Sequence, residues 1–204
     1  MHKEVLTRSQ IELLPLLKEF KRNFYLVGGT AIALQLGHRR SIDFDLFTGS
    51  ASLNTGGLKK KLSVYKKKKI LYEASDQLHV MVNDVKITFF SYLYPVNADR
   101  KFESVARMPR LIDLASMKVF ALGGRAKWKD YVDLYFILNS CYTLKGISRR
   151  ASKIFGQMFS EKLLRQQLCF FEDIDYSEKI EYMDTAIDDE IIKDFLTKTA
   201  VGRF

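Results

Sequence analysis

Apolar residues recur at helical spacing near the start of the chain. SQIELLPLLKEFK, residues 9–21, carries one such stripe and predicts a helix, with Ser9 or Thr7 as N-cap and a kink at Pro15. Residues 24–27 are an unbroken apolar run ending in Gly28-Gly29, the pattern of a buried strand entering a tight turn. Residues 31–36 suit a short helix stopped by Gly37. From 41 to 47 polar and apolar positions alternate, which predicts a half-buried strand. Asp43 and Asp45 then share one face, and Ile42, Phe44 and Leu46 the other. Residues 48–57 read as a loop and 58–69 as a lysine-rich segment. Two strands follow, within 69–82 and over 85–92, with Asn83-Asp84 as their turn.

Past Pro109 the period changes. RLIDLASMKVFALGG is bounded by proline and glycine and predicts a helix; DYVDLYFIL predicts another. Residues 147–171 and 187–200 also favour helix. The order is a mixed α/β part, residues 1–105, and an all-helical part, residues 106–204, without internal repeats.

Composition narrows the classes. With 204 residues, 47% of them hydrophobic, the chain can bury a core, and three prolines with 11 glycines exclude a fibrous or disordered class. The net charge of +9 points towards polyanions. MHKEVLTRSQ has no apolar stretch, so no signal peptide is expected, and no apolar run is long enough to span a membrane. Cys141 and Cys169 lack metal-ligand spacing, and His2, His38 and His79 form no cluster with them. Two free thiols fit a reducing cytoplasm.

Four features bear on chemistry. Gly28-Gly29-Thr30, between strand and helix, lets a ligand approach the backbone and offers N–H groups to an anion; a tight turn without ligand has the same sequence. Asp43 and Asp45 on one strand face can hold a hard divalent cation against phosphates, or be a solvated acidic face; Arg39 and Arg40 lie just upstream. Lys118 is flanked on its helix by Leu114, Ala115, Ala121 and Leu122, so its ammonium either snorkels to water or meets a phosphate. Asp130 and Asp133 share a helix face; Asp130 suits the helix start, and Asp133, among aromatics, suits a backbone group or buried cation. Together they suit metal-assisted phosphoryl or nucleotidyl transfer. GLKKKLSVYKKKKI adds seven lysines within 59–69. Lys66, Lys67, Lys68 and Lys69, with Tyr65 for stacking, are candidate RNA contacts, or a solvated face.

LVGGTAIALQLGHRRSIDFDLF, residues 26–47, resembles the signature of the AbiEii/AbiGii nucleotidyltransferase toxins in the DNA polymerase β-like superfamily. LIDLASMKVFALGGRAKWKDYVDLYFIL, residues 111–138, resembles that family's lysine helix and basic-Asp-x-x-Asp helix. The resemblance implies an α+β fold: a nucleotidyltransferase core of mixed sheet flanked by helices, then a C-terminal helical region completing the active-site cleft. It implies that Gly28, Gly29 and Thr30 hold a triphosphate with Arg39, and that Asp43 and Asp45 coordinate one or two Mg2+ ions. Lys118 would contact the nucleotide, Asp130 would be a further catalytic acid, and Asp133 would support it. The implied partners are a nucleoside triphosphate, an RNA or tRNA acceptor and a cognate antitoxin protein. Many superfamily enzymes carry a third aspartate on a later strand; VKITFF offers Thr88 or a neighbour there, which leaves three readings: one metal held less well, Asp130 as a substitute, or catalysis lost. A glycosyltransferase using Asp-x-Asp is a rival, opposed by the glycine turn and the lysine helix.

Overall fold

The protein, analysed as a computed structural model, is described over residues 1–202 and divides into two compact units, Met1–Arg110 and Leu111–Phe204. The first opens with two helices, α1 (Arg8–Glu12) and α2 (Leu14–Phe20), where one kinked helix is expected. Thr7 caps α1 in a reciprocal box with Gln10. Pro15 falls in the first turn of α2, where its missing N–H breaks no helical bond, so a new helix starts instead.

A five-stranded mixed sheet follows. Its strands are β1 (Tyr25–Val27), β2 (Phe44–Thr48), β3 (Lys68–Glu73), β4 (Gln77–Val82) and β5 (Val85–Ser91), in the order β1-β2-β5-β4-β3. Only β2 and β5 run parallel to each other. The β4–β5 turn is Asn83-Asp84 as expected, both residues at positive φ (46° and 64°), the two-residue loop that suits strand twist. Alternation sends Phe44, Leu46, Leu78, Val80, Ile87 and Phe89 to one fully buried face. Phe89 packs edge-on against Phe20 at 4.9 Å and Phe24 at 5.3 Å. The opposite face carries the half-buried residues Asp45, Phe47, His79, Lys86 and Thr88.

Helix α3 (Gly28–Leu36) fills the β1–β2 connection and starts at the glycines themselves, not at Ala31; Gly37 ends it at φ +74°. Strand β2 begins at Phe44, so Asp43 immediately precedes it and Ile42 is 61% exposed rather than on the buried face. The expected loop over 48–57 instead runs into α4 (Thr55–Leu62), capped by Asn54 and buried through Leu58 and Leu62. A hairpin of β6 (Arg100–Phe102) and β7 (Ala106–Met108) closes this unit, so strand extends past residue 105.

The second unit is helical: α5 (Leu111–Leu122), α6 (Trp128–Ser140), α7 (Leu144–Phe155), α8 (Glu161–Gln167) and α9 (Asp189–Val201). The helix expected over 147–171 breaks at Gly156, which sits at φ +58°. Phe120 and Phe155 stack at 4.0 Å between α5 and α7. Asp113 on α5 pairs with Arg150 on α7. The segment before α9 folds back on the start of α6: Trp128 donates its backbone N–H to Asp175 at 3.1 Å, and its indole N–H to Asp189 at 3.0 Å.

Glu178 secures the same corner by accepting from both Lys127 and Lys129. Burial alone raises its carboxyl; the hydrogen bonds and charges of the two lysines outweigh that and hold it at about 2, below its ordinary 4.5. A depressed carboxylate stabilises the fold above its unfolded value and loses that contribution as pH falls through the folded one. Thermal unfolding of Glu178→Gln is therefore expected to be flatter than wild type as pH falls from about 4.5 to about 2, with the midpoint lowered at neutral pH. Parallel curves for the two proteins would remove Glu178 from this role.

Candidate active site

The site in the first unit is built where β1 hands over to α3. Val27 pairs with Asp45 of β2, and the chain turns into the helix at the next residue. Gly28 takes φ +72°, a conformation that side chains disfavour. A Cβ there would overlap Asp45 Oδ2 and lie 3.1 Å from its Cγ. A Cβ on Gly29 would lie 2.8 Å from Arg39 Nη2 and 3.1 Å from Ser41 Oγ. The two glycines thus admit a carboxylate on one side and a guanidinium on the other. The first-turn N–H groups of α3 have no intrahelical acceptors, so this cradle also presents donors and a positive dipole end.

Thr30 has a different task from the one its sequence position suggests. It is 1% exposed, and its hydroxyl donates to the backbone carbonyl of Asp43, with Ser41 Oγ at 2.9 Å. That proton is committed to bracing the chain that enters β2, which leaves only the backbone of Thr30 for an anion. Gln10 adds a longer bond to the same carbonyl at 3.5 Å. Arg39 is buried against Gly29, with Nη1 donating to its neighbour's carbonyl at 2.8 Å. Arg40 turns elsewhere, to the carbonyls of Glu4 at 3.1 Å and Leu6 at 3.3 Å, and anchors the N-terminal segment.

The register across the sheet answers where a third carboxylate would stand. Asp45 lies directly beside Thr88 on β5, and Thr88 beside His79 on β4. A strand acid partnering Asp45 would occupy position 88, which holds a hydroxyl. Asp84 is in the turn and pairs with Lys67. Among the described residues no group of three or more His, Cys, Asp or Glu is arranged to hold a metal ion. His79 was not singled out as chemical from sequence, yet it is linked electrostatically to Asp45. Burial holds its imidazole below the usual range, Lys86 adds to that, and Asp45 opposes it.

The candidates in the second unit are brought together among themselves. Lys118 Nζ lies 2.7 Å from Asp130 Oδ1 and 2.7 Å from Asp133 Oδ2. The lysine is 6% exposed and both acids are fully buried, so the ammonium does not reach water as a snorkelling stem would. Arg125 Nε stands 3.2 Å from Asp130 Oδ2, close enough for charge compensation though outside hydrogen-bond geometry. The apolar neighbours of Lys118 on α5 make this pairing necessary, because an unpaired charge there would have no solvent.

The lysine run separates by structure. Lys59 pairs with Glu73 at 2.8 Å, and Lys61 lies over the Phe20 ring and donates to a carbonyl of α2. Lys67 pairs with Asp84, and Lys68 turns back on the carbonyls of Ser63 and Tyr65. The side chains of Lys66 and Lys69 have no hydrogen bond or ion pair among the described residues. Tyr65 is half-buried, with its hydroxyl pushed up first by burial and then by Glu19.

Residues 16–73, which include the glycine turn, Asp43 and Asp45, match the family model of the nucleotidyl transferase AbiEii toxin of type IV toxin–antitoxin systems. An uncharacterized protein of Aquifex aeolicus is 30% identical over 156 residues, covering 74% of this chain and 75% of its own. In fold the chain is similar to MenT4, a nucleotidyltransferase toxin from Mycobacterium tuberculosis: TM-score 0.61 and 11% identity, over 95% of this chain and 82% of that one. It is also similar to JHP933 from Helicobacter pylori, with a TM-score of 0.56 and 17% identity, over 96% and 91% of the two chains. No helix among the described residues is long and apolar enough to cross a membrane.

Two substitutions test the geometry. Gly28→Ala sets a side chain at positive φ and against Asp45; left-handed backbone alone costs about 1–2 kcal/mol. The variant is expected to unfold earlier in urea by at least that amount; wild-type stability would refute the close approach. Lys118→Met strands two buried carboxylates and is expected to cost ~3–5 kcal/mol in chemical denaturation. A loss under about 1 kcal/mol would mean the acids do not depend on this cation.

Proposed function

The chain belongs to the AbiEii nucleotidyltransferase toxin family, and from that premise we propose that it transfers a nucleotide from a nucleoside triphosphate to an RNA acceptor, of which tRNA is the expected kind, with magnesium as cofactor. The observation that carries the proposal is the side-chain-free turn at Gly28, which lets Asp45 stand against a helix start. The helix dipole favours a carboxylate at this N-terminus, but a phosphate binding beside it is repelled by that carboxylate unless a cation lies between the two.

In this reading the triphosphate meets the first-turn N–H groups of Gly28, Gly29 and Thr30, with the guanidinium of Arg39 behind them. Asp43 and Asp45 hold the magnesium. Two carboxylates suit that ion, which keeps the rest of its coordination for water and phosphate oxygens, and the absent Cβ of Gly28 keeps the approach to Asp45 open. When bound, the ion neutralises charge on the triphosphate as it builds up. The acceptor hydroxyl attacks the α-phosphorus and forms a new P–O bond. The bond to the oxygen bridging to the β-phosphate breaks, pyrophosphate leaves, and the hydroxyl proton passes to water. Thr30, by fixing the Asp43 carbonyl, holds the first acid in place for this. The resemblance gives Lys118 a nucleotide contact, Asp130 the role of a further acid and Asp133 its support; the three are buried and paired with one another, so those roles would require the pairing to open. Their buried pairing fixes the ammonium in one orientation. Membership of a toxin family also implies an antitoxin partner.

Thr88 beside Asp45 favours a second reading, a catalytically silent nucleotide- or partner-binding protein of the same fold. One experiment separates the two. The protein is incubated with magnesium, total tRNA and each α-labelled triphosphate in turn. Transfer predicts label on RNA, at least ~100-fold weaker in Asp43→Ala and Asp45→Ala. Triphosphate binding without label on any acceptor would leave the silent reading standing alone.

A further inference from the structure

The open face of the sheet carries chemistry that the transfer reading has not used. One row of paired residues crosses it from edge to site: Tyr72 on β3, His79 on β4, Thr88 on β5 and Asp45 on β2. A second row runs beside it, Lys69, Met81 and Lys86. Three strand spacings make the first row about 14 Å long.

Lys69 and Tyr72 reach this face together through a defect in the pairing. Residues three apart on a regular strand point to opposite faces. Between Ile70 and Tyr72 the register slips: Ile70 pairs with Val80, but Tyr72 pairs with His79. Leu71 is the extra residue, and such bulges re-aim the side chains that follow. Tyr72 stays 50% exposed, and its ring sits 5.6 Å from the imidazole of His79 in a tilted pair. His79 also touches Gln77 at 3.2 Å, which steadies its ring. The side chains of Lys69 and Lys86 have no hydrogen bond or ion pair among the described residues. The face thus holds an exposed ring pair, two ammonium groups without ionic partners and, at its far end, the proposed reacting centre.

We propose that this face is the path of a single-stranded RNA acceptor end, with the Tyr72–His79 ring pair as its stacking step and Lys69 and Lys86 as its backbone-phosphate contacts. Bases with open faces stack on such rings, and the phosphates between them meet the lysines. A duplex buries its base faces and has no use for the ring pair. The proposal rests on the transfer reading for its direction, since the path must deliver a hydroxyl to Asp45. It also narrows the lysine run to those cations that share the face.

Binding of a short fluorescein-labelled single-stranded RNA, followed by anisotropy without triphosphate over a range of salt, tests it on the whole protein. Tyr72→Ala is expected to weaken binding about tenfold and Tyr72→Phe to retain it. Lys69→Ala with Lys86→Ala is expected to lower the slope of log affinity against log salt by about 1.4, two single-strand phosphate contacts. The same RNA as a duplex is expected to compete poorly. Unchanged binding by a folded Tyr72→Ala protein, or equal competition by the duplex, overturns the path. RNA binding that depends on Tyr72 with no label transferred would sink the transfer reading and keep the path. Labelled RNA with no effect of Tyr72→Ala on binding or labelling would do the reverse.

Discussion

Asp45 can stand where it does only because residue 28 has no side chain. The close approach fixes three things at once. It sets the end of β1, where Val27 faces Asp45 across the antiparallel pair. It forces α3 to begin at a residue in left-handed conformation. It also puts a negative charge beside the positive end of a helix, with Arg39 against the neighbouring glycine. The Thr30 hydroxyl then ties this helix to the carbonyl of Asp43, so both acids are referred to one short helix.

The helical unit solves a different problem. Lys118 sits in an apolar stripe of α5, and two acids from α6 neutralise it out of contact with water. Burying such a set costs much desolvation, and hydrophobic residues of equal volume would often serve stability as well. What the charges add is direction. A lysine held by two carboxylates from another helix has one orientation, and α5 and α6 have one register. Asp113 with Arg150 repeats the device between α5 and α7 at a less buried place.

Much of this was legible in the chain because it obeys local rules. Gly28-Gly29 after an apolar run, Gly37 after an apolar helix and Asn83-Asp84 between strands each mark a backbone conformation that few other residues accept. Asp45 was legible as a strand residue, though Asp43 proved to precede the strand. Helix α4 was missed because Gly56 and Gly57 read as loop, while the cap at Asn54 and burial of Leu58 and Leu62 outweigh them. The β6–β7 hairpin has strands of three residues, too short to show a period. Pairing is non-local, so sequence could propose Thr88 for the vacant acid position, but only the parallel register of β2 and β5 sets it beside Asp45. The mutual pairing of Lys118 with Asp130 and Asp133 was hidden for the same reason: they lie on separate helices, and spacing along one helix shows only the acids as neighbours.

The bulge at Leu71 has a consequence for the protein as a solute. β3 is the last strand of its sheet and all six of its residues are exposed, Ile70 and Leu71 among them. A long, flat, apolar edge of that kind invites a strand from another molecule. Here the edge is kinked in the middle and opens on Lys68 and Lys69, so an incoming strand meets both a broken hydrogen-bond ladder and like charge. Straightening this strand by deleting Leu71 would leave a shorter, smoother edge and shift the balance towards strand-to-strand association.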